Sequence, residues 1–190
     1  MSDRQTQILE AAVRVIAKDG VRGLRVEKLA AEAEVSTALI YYHFKDRAGV
    51  LRRALEHVND RAIRYTEFSA PDPRTRLEQM LRLELRDTAD VRENSIAWGE
   101  LRASAVFSED LRDPLRASTR AWSEDIESLI REAQGSGHAK PDTSPVDAAE
   151  RLTALVEGLS ERWLSGSITL KRARKLLDGA IIVELGPLNK

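Results

Sequence analysis

An all-α chain is what three observations predict. The long intervals between Gly and Pro carry apolar residues at i, i+3, i+4 and i+7, and none reads with the strand period. With 10 Gly and 6 Pro in 190 residues, those intervals are long. At 42% apolar and 32% charged residues the chain can bury a core of one large or two small domains. The expected architecture is an N-terminal three-helix helix-turn-helix unit followed by a larger helical bundle, about nine helices in all.

The elements follow in order. Residues 4–19 place Ile8, Ala11, Ala12, Val15 and Ile16 on one stripe, and Gly20 is a suitable stop. Residues 26–33 repeat the pattern with Val26, Leu29, Ala30 and Ala33; after Glu34-Val35-Ser36, a third short helix runs from Thr37 to Phe44. A longer helix is expected over 47–65, with Asp46 placed to cap it and Val50, Leu51, Ala54, Leu55, Val58 and Ala62 inward. Ala70-Pro71-Asp72-Pro73 breaks the chain. Five more helices are expected at 74–90, 93–106, 109–134, 145–165 and 169–184, with Pro114 starting or kinking the third of them.

Composition excludes several classes. The longest apolar run, Ala38 to Tyr42, falls far short of the ~20 residues of a membrane span. The first residues do not form a basic segment leading into an apolar one, so a cytoplasmic protein without membrane partners is expected. Without Cys there are no disulfides and no thiolate sites. The net charge of -1 hides a split: residues 1–66 hold 12 Lys and Arg against 9 Asp and Glu, and the remainder hold 18 against 22, giving +3 and -4. The three histidines, His43, His57 and His138, stand in no metal-ligand spacing, and phosphate-loop and nucleophile-elbow motifs are absent. No cofactor and no catalysis are expected; an enzyme would need an unrecognised site.

Two short helices flanking a tight turn, braced by a preceding helix, make a helix-turn-helix, whose second helix fits a major groove about 12 Å wide. Ile40 and Phe44, four apart, can anchor Thr37 to Arg47 inward and leave Thr37, Ala38, Tyr41, Tyr42, His43, Lys45 and Arg47 outward or on the rim. Two adjacent tyrosines and a histidine on one short surface helix are unusual.

Ile8 to Leu51 resembles the DNA-binding domain of the TetR family of bacterial transcriptional regulators. The matching pieces are Ile8-Leu9-Glu10-Ala11-Ala12, Gly20-Val21-Arg22-Gly23-Leu24, Leu29-Ala30-Ala31-Glu32-Ala33, Val35-Ser36, Ile40-Tyr41-Tyr42-His43-Phe44-Lys45-Asp46-Arg47 and Val50-Leu51. The resemblance implies that Tyr41, His43 and Lys45 or Arg47 contact phosphates, while Ser36, Thr37 and Tyr42 reach base edges. Two positions depart from the pattern. Glu34 stands where Gly is usual, so the turn either strains a left-handed residue or widens. Arg25 stands where Ser or Thr usually caps the second helix; it cannot accept the helix N–H groups, but it could reach a phosphate.

The resemblance also implies domains at 1–46 (helix-turn-helix), 47–66 (connecting helix) and 67–190 (ligand binding and dimerisation). Its partners would be a palindromic double-stranded operator, a small-molecule effector and a second copy paired through the last two helices. Leu152, Leu155, Val156, Leu159 and Trp163, with Ala173, Leu176, Leu177, Ala180 and Ile181, are apolar enough for that pairing, or for burial in their own subunit. Trp98, Phe107, Trp122 and Trp163 are candidate ligand-site aromatics. Glu84, on a stripe with Leu77, Met80, Leu81 and Thr88, is a candidate carboxylate for a cation or a partner for a neighbouring Arg. Trp98-Gly99-Glu100 and Val156 to Gly166 are similar to BetI-like members, which respond to choline-type compounds. A ligand-responsive repressor is therefore expected, against the alternative of a helical protein-binding module without DNA contact.

Overall fold

The computed structural model describes residues 2–67 and 69–187, which contain nine α-helices and no strand. They are α1 (Asp3–Gly23), α2 (Val26–Glu32), α3 (Thr37–Phe44), α4 (Arg47–Thr66), α5 (Pro73–Leu83), α6 (Ala89–Ala105), α7 (Glu109–Gly135), α8 (Pro145–Leu164) and α9 (Leu170–Leu185). No helix among the described residues is long and apolar enough to cross a membrane.

The chain divides into two compact units, residues 1–62 with 92–118, and residues 63–91 with 119–190. Their limits fall inside α4, α6 and α7 rather than at the break near residue 67. The first unit is built on Ile8, Ala12, Ile16, Leu29, Ile40, Leu55, Val58 and Leu101, all buried in one apolar cluster. The second is built on Leu77, Leu81, Ile126, Ile130, Leu152, Val156, Leu177 and Ile181.

Local chemistry explains most helix ends. Ser2 and Gln5 close a reciprocal cap on α1, and Asp72 accepts the Thr75 N–H at 2.7 Å ahead of Pro73 in the first turn of α5. Asp46 Oδ1 accepts the Gly49 N–H at 2.6 Å, the cap expected of it. Two helices differ from expectation. α1 does not stop at Gly20: the residue takes φ 72° and ψ 170°, and the helix kinks there before resuming to Gly23. α5 stops at Leu83, so Thr88 belongs to the connecting turn; Arg86 donates to Leu83 O at 3.1 Å and to Tyr65 O at 3.2 Å, replacing helical hydrogen bonds with side-chain ones.

In the second unit, Arg74 is fully buried. Its guanidinium bonds Glu78 at 2.8 Å, Gly186 O at 2.9 Å, and Leu185 O and His138 O at 3.3 Å each. One cation thereby satisfies the orphan carbonyls at the end of α9 and fixes the 136–144 connection.

Gly49 is required by a close approach. A Cβ there would lie 2.0 Å from the Phe44 carbonyl oxygen, so no side chain fits between α3 and α4. Gly49→Ala is expected to lower unfolding free energy by about 2 kcal/mol, read by chemical denaturation, because the obstacle is backbone and cannot swing away.

Candidate functional site

α3 is seated by two side chains and held at both ends. Ile40 is 1% and Phe44 5% exposed, beneath the helix, and Leu39 packs on the same cluster. The opposite face carries Tyr42, 81% exposed, Tyr41, 49% exposed, and Ala38, with Lys45 at the helix end. Thr37 and His43 are half-buried on the rim, and the His43 ring meets Tyr42 edge-on at 5.0 Å. Ser36 Oγ accepts the Leu39 N–H at 3.2 Å, so this hydroxyl caps the helix.

The turn between α2 and α3 is tight. Glu34 takes φ 53°, Val35 N–H bonds Ala30 O at 3.0 Å, and Glu34 N–H approaches Ala31 O at 3.3 Å. This is the glycine-type helix ending with glutamate in the left-handed position, a strain of roughly 1–2 kcal/mol. Of the two readings of Glu34, strain rather than widening is the one realised. Gln7 Nε2 donates to Ala33 O at 2.8 Å and ties α1 to the end of α2.

The junction of α1 and α2 is gripped from two helices. Arg47 donates from Nε to Leu24 O at 2.7 Å and from Nη2 to Val21 O. Its guanidinium is thus committed to the protein backbone, and of the pair Lys45 or Arg47 it is Lys45 that projects as a cation beside α3. Glu100 Oε2 accepts the Val21 N–H at 3.0 Å, where the helix restarts after Gly20; a Cβ on Gly20 would lie 2.8 Å from that oxygen. Arg25 begins α2 with no side-chain cap and is exposed. Sequence reasoning missed Glu100, because a contact across 79 positions leaves no periodic trace.

His57, read from the sequence as surface-facing, is 3% exposed. Its Nε2 lies 2.8 Å from Glu10 Oε1, and Arg61 bridges Glu10 and Glu93 at 3.5 and 2.8 Å. Among the described residues no group of three or more His, Asp or Glu is disposed to hold a metal ion.

The candidate ligand residues do not converge as one set. Trp98 and Phe107 belong to the first unit: Trp98 packs on its core under the Arg102 guanidinium, 5.6 Å away, and Phe107 is 87% exposed in the turn between α6 and α7. Glu84, Trp122 and Trp163 belong to the second, where both tryptophans join its apolar cluster. Glu84 ends α5, and its Oε2 accepts the Tyr65 hydroxyl at 2.8 Å. Burial pushes the Glu84 carboxyl up to about 7, against the Tyr65 hydrogen bond and the nearby Arg86 charge, which pull it down; Glu157 on α8 raises it further. Tyr65 and Glu157 were not foreseen.

The stripes expected to pair two copies are largely spent at home. Leu152, Val156, Leu159, Trp163, Ala173, Leu177 and Ile181 are buried within the unit, and Leu155, Leu176 and Ala180 are half-buried. The exposed apolar residues of α8 and α9 are Val146, Ile182 and Val183.

A capped, anchored α3 presenting Tyr41, Tyr42 and Lys45, attached to an all-helical second unit, defines a helix-turn-helix DNA-binding regulator. The model of the bacterial regulatory proteins of the tetR family matches residues 8–54, and that of the BetI-type transcriptional repressor C-terminal region matches residues 73–184. The chain belongs to the TetR family, with a BetI-type C-terminal region. It is 25% identical over 193 residues to the transcriptional regulator BetI of Burkholderia thailandensis, covering 97% of this chain and 94% of that one. A crystal structure of a TetR-family regulator from Rhodococcus sp. is 48% identical over 97% of this chain and 100% of its own, with a TM-score of 0.92. A regulator from Saccharomonospora viridis, crystallised with choline, is 26% identical across 100% of both chains, with a TM-score of 0.83. These relatives are transcriptional regulators; the chain is a DNA-binding regulator and not an enzyme.

Two outcomes follow from the strained and buried groups. Glu34→Gly is expected to stabilise the chain by about 1 kcal/mol in denaturant titrations, the relieved left-handed strain offset in part by the freer unfolded chain. For Glu84, the folded state holds a proton that the unfolded chain releases near pH 4.3, so stability is lost as pH rises from there through about 7. Glu84→Gln keeps an acceptor for Tyr65 without the charge. Melting curves are expected to place it near the parent at pH 5 and roughly 4 °C above it at pH 8, the effect of about 1 to 2 kcal/mol at this size.

Proposed function

We propose that the chain is a homodimeric repressor released from a palindromic operator by a small organic cation. In this reading residues 1–46 bind DNA, 47–66 connect, and 67–190 bind the effector and the second copy. Tyr42, Thr37 and Ser36 read bases, whereas Tyr41, His43, Lys45 and Arg25 contact phosphates. Arg47 acts by holding the Val21 and Leu24 carbonyls, so it is a positioning residue.

The observation that carries the effector class is Glu84, a carboxyl set in a desolvated place beside Tyr65. Such a group favours a ligand that brings positive charge, because an unpaired buried carboxylate is costly. The choline bound by the Saccharomonospora viridis regulator and the BetI-type repressor match over 73–184 support the same class. Trp122 and Trp163, in the same unit as Glu84, supply apolar surface. Trp98 and Phe107, assigned to the other unit, are set aside as ligand contacts. Val146, Ile182 and Val183 provide the exposed apolar surface on α8 and α9 for the second copy.

Transmission is proposed to run along α4. This one helix carries Arg47 at its start and Tyr65 near its end, so a ligand that engages Tyr65 or Glu84 biases the element that holds the α1–α2 junction. Operator half-sites lie about 34–36 Å apart, and a dimer whose α3 helices leave that separation loses affinity by population shift.

The test is selection of genomic fragments by the purified chain, followed by binding titrations on the recovered operator and on random DNA. Tyr42→Ala is expected to lower affinity for the operator by about 10-fold or more while leaving random DNA nearly unchanged, the discrimination of one lost base contact. Lys45→Ala should weaken both alike and flatten the salt dependence. Equal losses on both DNAs for both variants would defeat the assignment of α3 to base reading.

A further inference from the structure

The surroundings of Glu84 define more than a negative site, on the reading above that this unit binds a cationic effector. Three charged or titratable groups face its carboxyl: Tyr65 from α4, Arg86 after α5 and Glu157 from α8. The Tyr65 hydroxyl donates to Oε2 at 2.8 Å, and Oε1 accepts from no group among the described residues. Arg86 is the one nearby cation, yet its donors go to the Leu83 and Tyr65 carbonyls, and its Cζ lies over the Tyr65 ring, 5.7 Å from the centroid. The side chain best placed to neutralise Glu84 is therefore committed to shaping the turn. Leu81 and Leu85, both fully buried, flank the carboxyl in sequence and keep its neighbourhood apolar. A carboxyl desolvated beside a second carboxylate, with its only direct partner a neutral hydroxyl, is stable as the acid and becomes stable as the anion when a cation arrives.

We propose that Glu84, Tyr65 and Glu157 form the cation-recognising end of the effector site, and that an ammonium group binds beside Glu84 Oε1 in exchange for the Glu84 proton. The proton leaves to solvent, the O–H bond of the acid breaks, and the resulting carboxylate is paired with the ligand's positive charge, so the site stays near neutral throughout. The Tyr65 hydroxyl keeps its hydrogen bond to Oε2 while its ring offers a face to the cation, and Glu157 contributes the second negative charge. The ligand class is thus a monocationic ammonium compound, and proton release distinguishes it from a neutral ligand of the same shape.

The experiment is isothermal titration calorimetry of the full chain with choline chloride and with its uncharged isostere 3,3-dimethylbutan-1-ol. Each is titrated at pH 6 and pH 8 in pairs of buffers with different ionisation heats. With the carboxyl titrating at about 7, choline is expected to bind about tenfold more weakly at pH 6 than at pH 8 and to release close to one proton at pH 6. The isostere should bind at least about tenfold more weakly than choline and release none. Glu84→Gln, whose fold is checked by its melting curve, is expected to lose both the proton release and the pH dependence. Choline binding without proton release, equal affinity for the isostere, undiminished choline binding by Glu84→Gln, or no choline binding at either pH would each overturn the proposal. The wild-type measurements stand even if the variant fails to fold. Operator binding by the same ligand-free sample reports separately on the regulator reading: a sample that binds operator but fails these tests rejects the proton exchange alone.

Discussion

An eight-residue helix has almost no stability of its own in water, since nucleation fixes several residues before the first hydrogen bonds repay it. α3 exists because Ile40 and Phe44 are sunk in the first unit's core, Ser36 caps one end, and α4 closes against the other end where Gly49 has no side chain. Everything that makes this face a reader of DNA follows from that seating. With both anchors below, Tyr42 and Tyr41 have only solvent above them, which is where a duplex must come.

Around this helix the first unit uses backbone carbonyls as handles. Arg47 takes two of them at the α1–α2 junction, and Glu100 takes the N–H where α1 resumes. The left-handed backbone at Gly20 is what exposes that N–H, and the absence of a Cβ is what lets a carboxylate come so close. Arg74 performs the same service at the end of α9 in the second unit. In both units a long-range charged side chain finishes a helix that local sequence leaves open, consistent with the requirement that buried backbone groups be satisfied.

The second unit also keeps a carboxyl where charge is unwelcome. Glu84 could have been an ordinary ion pair with Arg86, but Arg86 turns to the Leu83 and Tyr65 carbonyls and leaves a tyrosine hydroxyl as the direct partner. His57 shows the contrasting outcome in the first unit: a buried ring answered by Glu10, with Arg61 drawing that carboxylate towards Glu93. One polar group is balanced by its neighbours, the other waits for a balance from outside. Among family members, a BetI-type second unit is the setting in which such a group acquires meaning.

Helical periodicity is a local property, carried by residues three and four apart, and so the existence and inward faces of the helices could be read from the chain, along with the Asp46 cap, the Ile40 and Phe44 anchors and the outward tyrosines. Where a helix ends, and which of two plausible faces it buries, depends on groups far away in sequence. The Arg86 turn that shortens α5, the Glu100 cap across 79 positions and the Arg74 contact across 112 belong to that kind. The α8 and α9 stripes looked the same whether they met a second copy or their own unit, because apolar area carries no address; packing assigned most of it to the unit's own core. The chain alone thus defined an all-helical DNA-binding regulator, while Arg47's commitment to backbone and Glu84's setting arose only when distant segments closed around them and removed water.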